Sequence, residues 1–510
     1  MNVLVIDVGT SSMCGIVFQG GGKVFVAQSA YRPDYLAGGV VEQTAESFLS
    51  ALATCCSEAA TFAAEKGLEI GLVSLTSQRS SITAVGADER PLIPFVMWQD
   101  TRNAELVDEL GQSGKRIFEL SGTKVDMVFS GAKMGWIERN LPEVAVAAVH
   151  YSTIPELLIH EMCGEWACDQ TYASRSSLMN IRTRSWDPEL LELFGVPAGK
   201  LSRIIAPGQA AGGVSATFSA ATGLAEGTPV VSAGGDQQCG ALGQGVVAPG
   251  VVSVVAGTGA FLETAVDAVP EDLADNVVCN ASALAGQYTL EVSVPACCSA
   301  LDWYRRTFCP DMGFDVIAEV VAAEHGKCAP SLVLPHFQGR GTPDWNPRAR
   351  GVFAGLDLSV TRESLLYSLL VGIFTEVRIN LDSFESYVAL ERGSISGGLT
   401  QAPAINQLQA DVYGFGLTRQ EDPESTARGA LVSALAGQGF CASAEEACAQ
   451  VSAGIAVESF EPDAEKHALL DIVKADAEAL YAAMYAAPCC GKASHETTPR
   501  RSPDLRGVYR

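Results

Sequence analysis

Near its start the chain sets an aspartate at the end of an apolar run and follows it with small, hydroxyl-bearing residues: Val3-Leu4-Val5-Ile6-Asp7-Val8-Gly9-Thr10-Ser11-Ser12. That order suits a nucleoside triphosphate. Asp7 can hold a hydrated Mg²⁺, and Gly9, Thr10, Ser11 and Ser12 offer N–H and hydroxyl donors to phosphate oxygens with no bulky side chain between. A strand-Asp-Gly run is also an ordinary way to leave a strand, so matching pieces elsewhere have to decide. One is Gly257-Thr258-Gly259, which follows the β-branched run Val251–Ala256 and by itself reads as a Gly-bearing hairpin. Another is Gly234-Gly235-Asp236-Gln237-Gln238. Moving a γ-phosphoryl group onto an alcohol needs a base at the hydroxyl, Mg²⁺ on the phosphates and donors for the equatorial oxygens. Asp236 is the candidate base, because two preceding glycines let the backbone approach a small substrate closely. Its second reading is a helix N-cap for residues 237–242. Gly397-Gly398 would either let an adenine–ribose unit lie against backbone or form a tight strand-to-helix turn.

The elements that must position these residues are readable from periodicity. Strands are expected at Val3–Asp7, Gly15–Phe18 and Lys23–Gln28, with Gly20-Gly21-Gly22 as a hairpin loop. A helix follows from about Ala45 to Lys66, then a strand, Ile70–Thr76, leading into Ser77-Gln78-Arg79-Ser80. Near residue 250 the strand–turn–strand pattern begins again. Later come a long helix from about Arg362 to Tyr387, a strand into Gly397-Gly398, a helix near Ile405–Tyr413 and another starting near Glu424. The small residues of that last helix suit close helix packing. The reading is an α/β chain with mixed sheets: a first domain over 1–248, a second over 249–488, and a disordered tail over 489–510.

Composition narrows the function classes. The 510 residues are 48% hydrophobic and carry a net charge of −25, a packed globular protein with no basic surface for nucleic acid. Apolar stretches such as Val251–Leu262 are broken by glycine and too short to span a bilayer, and no secretory leader is visible, so a cytoplasmic protein without a membrane partner is expected. The 15 cysteines are scattered, with adjacent pairs at Cys55-Cys56, Cys297-Cys298 and Cys489-Cys490 and no CxxC pairs at zinc spacing. They read as buried small residues of a reduced protein, and no cysteine metal site is expected.

Five segments, in order and spacing, resemble the FGGY carbohydrate kinases of the actin-like ATPase superfamily: Asp7–Ser12; Trp98-Gln99-Asp100-Thr101-Arg102; Gly234–Gln238; Gly257–Gly259; and Ser396-Gly397-Gly398-Leu399 with Gln407–Asp411. The resemblance implies two actin-like (ribonuclease H-like) ATPase domains with an interdomain cleft, the N-terminal one on the sugar side and the C-terminal one on the nucleotide side. It implies ATP and Mg²⁺ as cofactors, with Asp7 holding Mg²⁺ through water and Asp236 as the catalytic base. Gln78, Arg79, Trp98, Asp100, Asp236 and Gln237 would contact the sugar or polyol. Gly9, Thr10, Ser11, Ser12, Gly257, Thr258, Gly259, Gly397, Gly398 and Leu399 would contact ATP. A homodimer fits the family, and Leu334 to Gly351 resembles its interdomain segment, although its Pro and Gly content also suits a plain loop. Closure of the lobes around the sugar would exclude water, with a hinge at Gly245 and Pro249-Gly250.

Gln78-Arg79, Trp98-Gln99, Asp236-Gln237-Gln238 and Phe129-Ser130-Gly131-Ala132-Lys133 lean toward the glycerol kinases of that family. Ser80 and Val128 lean away, since glycerol kinases carry a glutamate and a tyrosine there. Their loss leaves a roomier, less polar pocket, suited to a ketose (pentulose-like, as in xylulokinases) or a larger polyol, with glycerol as the alternative. Cys14 stands where relatives usually carry Arg or Lys, and Ala402 where some have a polar nucleotide contact. A rival of another class is a non-catalytic or regulatory actin-like ATPase, which would not need Arg79, Trp98, Asp100 and Asp236 together and would show no sugar-dependent ADP release.

Overall fold

The opening run forms a strand, Asn2–Val8, buried on both faces, as a near-continuous apolar segment must be. In the computed structural model, which describes residues 1–325, 327, 331–422 and 424–485, this strand is central to a six-stranded sheet. The expected tail at 489–510, with Cys489-Cys490, lies outside the described residues. Asn2–Val8 pairs antiparallel with Ser12–Gln19, which pairs with Gly22–Ala30. On its other side it runs parallel to Ile70–Ser77, which runs parallel to Pro229–Gly235. Leu4, Ile6 and Val8 point into a core shared with the helix Ala45–Lys66, through Phe48, Leu52, Cys56 and Ala59. Val3 and Val5 point into a second core on the opposite face.

A seven-stranded sheet repeats the plan. Val251–Ala256 is antiparallel to Ala260–Val266 and parallel to Arg392–Gly397, as Asn2–Val8 is to Ser12–Gln19 and Ile70–Ser77. The turns Gly9–Ser11 and Gly257–Gly259 therefore occupy equivalent places in two duplicate sheets. The mixed sheets are those of the two-domain actin-like fold. The helix Arg362–Asp382 is the core helix of the second lobe and, like Ala45–Lys66, is long and apolar enough to cross a membrane on length and composition alone. It is shorter than expected from the sequence, which extended it to Tyr387. Phe384 still packs into the core, so apolar periodicity continues past the last helical turn, while the chain turns away to place the Tyr387 hydroxyl on the Ala274 N–H at 2.8 Å.

The two lobes are interleaved. After Gln420 the chain leaves the second sheet, forms the helices Ser425–Gly437 and Ala444–Ser452, and returns as the strand Val457–Phe460. Ala427, Ala430, Leu431 and Ala434 fill the core against Val3, Val5 and Leu72, so the first lobe draws on residues well beyond 248. Ser74 Oγ donates to Ala430 O at 2.9 Å, and Ser433 Oγ lies 2.8 Å from the carbonyls of both Ala233 and Ala283. Glycines make the closest approach possible: a Cβ on Gly429 would lie 1.7 Å from Cys239 O, and one on Gly243 1.9 Å from Ser425 O. The helix Asp236–Gly243 is thus pressed backbone to backbone against Ser425–Gly437.

Candidate active site

The strands Asn2–Val8, Ile70–Ser77 and Pro229–Gly235 are parallel and end together, and their register puts Asp7, Thr76 and Gly234 in one row. Ligands of open α/β sheets bind beyond such carboxyl ends. Gly234, at φ 125°, turns the chain there into the helix that begins at Asp236. Thr76 Oγ1 and the Tyr172 hydroxyl both donate to Gly234 O at 2.8 Å, and Gly235 N–H donates to Thr171 Oγ1 at 2.9 Å. The turn is rigidly held. Asp236 is in the first helical turn rather than at the N-cap, which is Gly235, and its Oδ1 accepts from Gln237 N–H at 2.8 Å. Its side chain keeps 27% exposure at the mouth of the cleft. Burial pushes its carboxyl up against the opposing pull of Arg79. Burial, then Asp236 and Glu424, push Asp7 up to about 7. Among the described residues the Asp7 carboxylate makes no hydrogen bond or ion pair, which leaves it to a hydrated cation, and no group of three or more metal-ligating side chains gathers among them. One carboxylate completed by water and phosphate oxygens is how Mg²⁺ is commonly held.

The first phosphate turn is braced from behind. Gly9 N–H donates to Ser12 O at 2.9 Å, while Gly9 O accepts from the Tyr31 hydroxyl and from Gln78 Nε2, each at 3.0 Å. Gln78 is buried and supports this turn. Ser12 Oγ accepts from Gln28 Nε2, and Trp98 Nε1 donates to Thr10 Oγ1 at 3.3 Å, leaving the indole partly exposed over the turn. Asp100 is fully buried and its oxygens are filled by the N–H groups of Val41 and Arg102 and by the Arg102 guanidinium. Its geometry is that of a loop anchor behind Trp98. Among the described residues, no hydrogen bond is made by the Gln237 side chain.

In the second lobe the Gly257–Gly259 turn rests on the N-terminus of the helix Cys298–Phe308. Cys298 N–H donates to Gly257 O at 3.0 Å and Cys297 N–H to Thr258 O at 2.9 Å, with Thr258 exposed. A Cβ on Gly259 would lie 2.5 Å from Val294 O, and one on Gly397, at φ 99°, 2.3 Å from Ala256 O. Gly398 faces Cys298, whose Sγ donates to Ala256 O at 3.3 Å. These pieces therefore converge on one spot. Leu399 has its side chain in the core, leaving only its backbone for a nucleotide.

Several residues of the site escape sequence reasoning, among them Arg175, Glu263 and Glu291, which gather about the expected residue Arg79. Arg79, from the first lobe, lies over Gly235. Its Nε is 3.7 Å from Asp236 Oδ1, and its Nη1 is 2.9 Å from Glu291 Oε2 in the second lobe. Arg175 reaches the other Glu291 oxygen at 3.5 Å and stacks on Phe129. Burial, then Arg79, lower its guanidinium to about 10. Glu263 is the cross-strand partner of Glu291 and has neither carboxyl oxygen hydrogen-bonded; burial and Glu291 push it up to about 8. Arg175 and Glu291 border a cavity of about 380 Å³ whose walls include Val128, Phe129, Phe261 and Trp345. Lys133 fixes the Val128 segment by donating to Met127 O and Val128 O at 2.7 and 2.8 Å. Trp345 is delivered by the 334–351 segment, which Arg340 ties to Glu376 at 2.7 Å, and its ring is capped by Lys124 from the first lobe. A signal was present: Glu263 and Glu291 each interrupt a β-branched, apolar strand.

Comparison with known proteins agrees with this arrangement. Residues 2–243 match the N-terminal domain, and residues 252–437 the C-terminal domain, of the FGGY family of carbohydrate kinases. The chain is similar to the glycerol kinase of Geobacter sp. (strain M21), 31% identical over 86% of this chain and 90% of that one. It is also similar to the glycerol kinase of Thermococcus kodakarensis, 30% identical over 84% and 86%. In structure it resembles the xylulose kinase of Rhodospirillum rubrum, with a TM-score of 0.89, 24% identity and 95% and 99% coverage.

Proposed function

The chain belongs to the FGGY family of carbohydrate kinases, ATP-dependent phosphotransferases acting on an alcohol group, and from that premise we propose that it phosphorylates a pentulose-like ketose or a polyol longer than glycerol, with Asp236 as the base. The observation that carries the substrate is the cavity. About 380 Å³ walled partly by Val128, Phe129 and Phe261 leaves room beyond a three-carbon acceptor. The reacting hydroxyl would lie at Asp236, which takes its proton as the O–P bond forms. Gln237 and the free edge of Arg79 would hold neighbouring hydroxyls, and Trp98 would form the wall toward Thr10. Asp100 and Gln78 would act behind these groups, keeping the Trp98 loop and the phosphate turn in place. The donor would sit between Gly9–Ser12 and Gly257–Gly259, with its adenosine along Gly397-Gly398. Mg²⁺ beside Asp7 would neutralise charge on the transferring phosphoryl group.

A coupled ADP-release screen over glycerol, tetritols, pentitols, pentuloses and hexuloses tests this. The highest kcat/KM is expected on a five-carbon acceptor, exceeding glycerol by roughly tenfold or more. Glycerol is the second reading, favoured by the names of the sequence relatives, and a glycerol optimum would establish it. Val128→Tyr fills the cavity and offers a hydroxyl. It should cut kcat/KM on the long acceptor by about 10–200-fold while sparing glycerol. A uniform loss on both acceptors would place residue 128 outside the acceptor site.

Cys14 lies opposite Asp7 in the sheet, and burial, with Asp7 and Glu424, pushes its thiol up to about 11, so it supplies no charge to the triphosphate. Cys14→Arg should lower KM for ATP about three- to tenfold, in the range of one charge-assisted contact. An unchanged KM would mean that the countercharge comes from elsewhere.

A further inference from the structure

Arg79 stands between two carboxylates that belong to different lobes. On its own lobe is Asp236, 3.7 Å from Nε; across the cleft is Glu291, 2.9 Å from Nη1. Gln238 Oε1 takes the same Nη1 at 3.2 Å. Glu291 is held in turn by Arg175 at 3.5 Å and by Asn280 Nδ2 at 3.4 Å, so one second-lobe carboxylate bridges two first-lobe arginines. The three charged side chains other than Asp236 are about one-tenth exposed or less.

The balance matters because Arg79 is the cation nearest Asp236. A tight fork from Arg79 would favour the carboxylate form, weaken it as a proton acceptor, and occupy N–H groups that an acceptor hydroxyl could use. The observed geometry avoids that. The short contact goes to Glu291, and Asp236 keeps only the longer one. Because Glu291 comes from the opposite sheet, this arrangement exists only when the two lobes are together.

We infer that Glu291 is a positioning residue that draws Arg79 off Asp236 as the lobes meet, so that the base becomes available only in the assembled cleft. The inference rests on Asp236 being the base. It extends the catalytic apparatus to a second-lobe residue at the border of the acceptor cavity that acts on Asp236 through Arg79. The charges around Asp236 are consistent with it: burial raises its carboxyl most, Arg79 and Arg175 pull it down, Glu291 adds a smaller upward push, and Asp7 and Glu263 lie within electrostatic range. Burial opposes ionisation of Glu291, yet Arg79 and Arg175 hold it down at about 2, charged throughout the working range.

The test is the pH profile of kcat for Glu291→Gln and Glu291→Asp in the full-length enzyme, with the best acceptor of the screen. In Glu291→Gln, Arg79 settles on Asp236. We expect kcat to fall roughly tenfold and its acid limb to move down by about one unit, while KM for the acceptor changes little. Glu291→Asp keeps the charge with a shorter reach and should return the limb most of the way toward wild type. A folded Glu291→Gln enzyme with wild-type kcat and an unmoved acid limb overturns the inference, as does a loss confined to KM. Should Glu291→Gln not fold, Glu291→Asp decides alone: a partial kcat loss with a partly lowered limb supports the bridge, and a wild-type profile refutes it. Failure of the base assignment is separable, because it appears as ordinary turnover in Asp236→Asn whatever residue 291 does.

Discussion

Asp236→Asn is expected to yield a folded protein whose kcat is lower by about 10²–10⁴, the usual contribution of a positioned general base. The asparagine oxygen can still accept the 2.8 Å bond from Gln237 N–H, so the helix start and the Gly234-Gly235 turn should persist. What is lost is the capacity to take a proton. KM for ATP should be unchanged, since the phosphate turns are held by Tyr31, Gln78 and the Cys298 helix rather than by residue 236. Stability should move the other way. The folded-state carboxyl is raised above its ordinary value by burial, so at pH 7 its ionised form opposes folding. That burden is full above the raised value, shrinks as pH falls through it and is gone below the ordinary carboxylate value. Asparagine removes it, so the thermal midpoint at pH 7 should equal or exceed wild type. A variant that turns over normally would dismiss Asp236 as the base.

Gly429→Ala is expected to have the largest effect on stability. The added methyl would lie 1.7 Å from Cys239 O and 2.8 Å from Gly243 N, both backbone atoms of the helix that begins at Asp236. No rotamer change relieves such a contact. The helices must separate, which costs about 3 kcal/mol or more, at the upper end of overpacking in cores. Because the displaced helix carries Asp236, the folded fraction should also lose turnover. Gly240→Ala is the internal control, since its methyl would meet only Thr426 Oγ1, at 3.6 Å. There the usual helix preference for alanine should stabilise by about 0.5–1 kcal/mol. Equal midpoints for the two variants in thermal unfolding would contradict the close-packing argument.

Much of this was legible because apolar periodicity and small-residue turns are local signals. The strand Val251–Ala256 and the helix Ala45–Lys66 end at the residues the sequence indicates, and the two phosphate turns stand out by their glycines and hydroxyls. What escaped is contact at long range. Nothing local says that Glu291 meets Arg79, which lies 212 positions earlier, or that Asp100 turns inward to anchor a loop while Trp98 stays at the surface. The overlong helix at Tyr387 fails for the same reason. An apolar residue can serve the core from a turn as well as from a helix, and pattern alone does not separate the two.

The chain passes from one lobe to the other three times: after Gly243, after Gln420, and again before Val457. The first two passages are locked together where Gly429 meets Cys239. A single tether would act as a ball joint, free to wobble in every direction. Several tethers, two of them fused, would act as pins on a common axle and leave the jaws one permitted swing. Arg79 and Glu291 would then meet at the same angle on every stroke, a repeatability that a charge pair divided between two moving bodies requires.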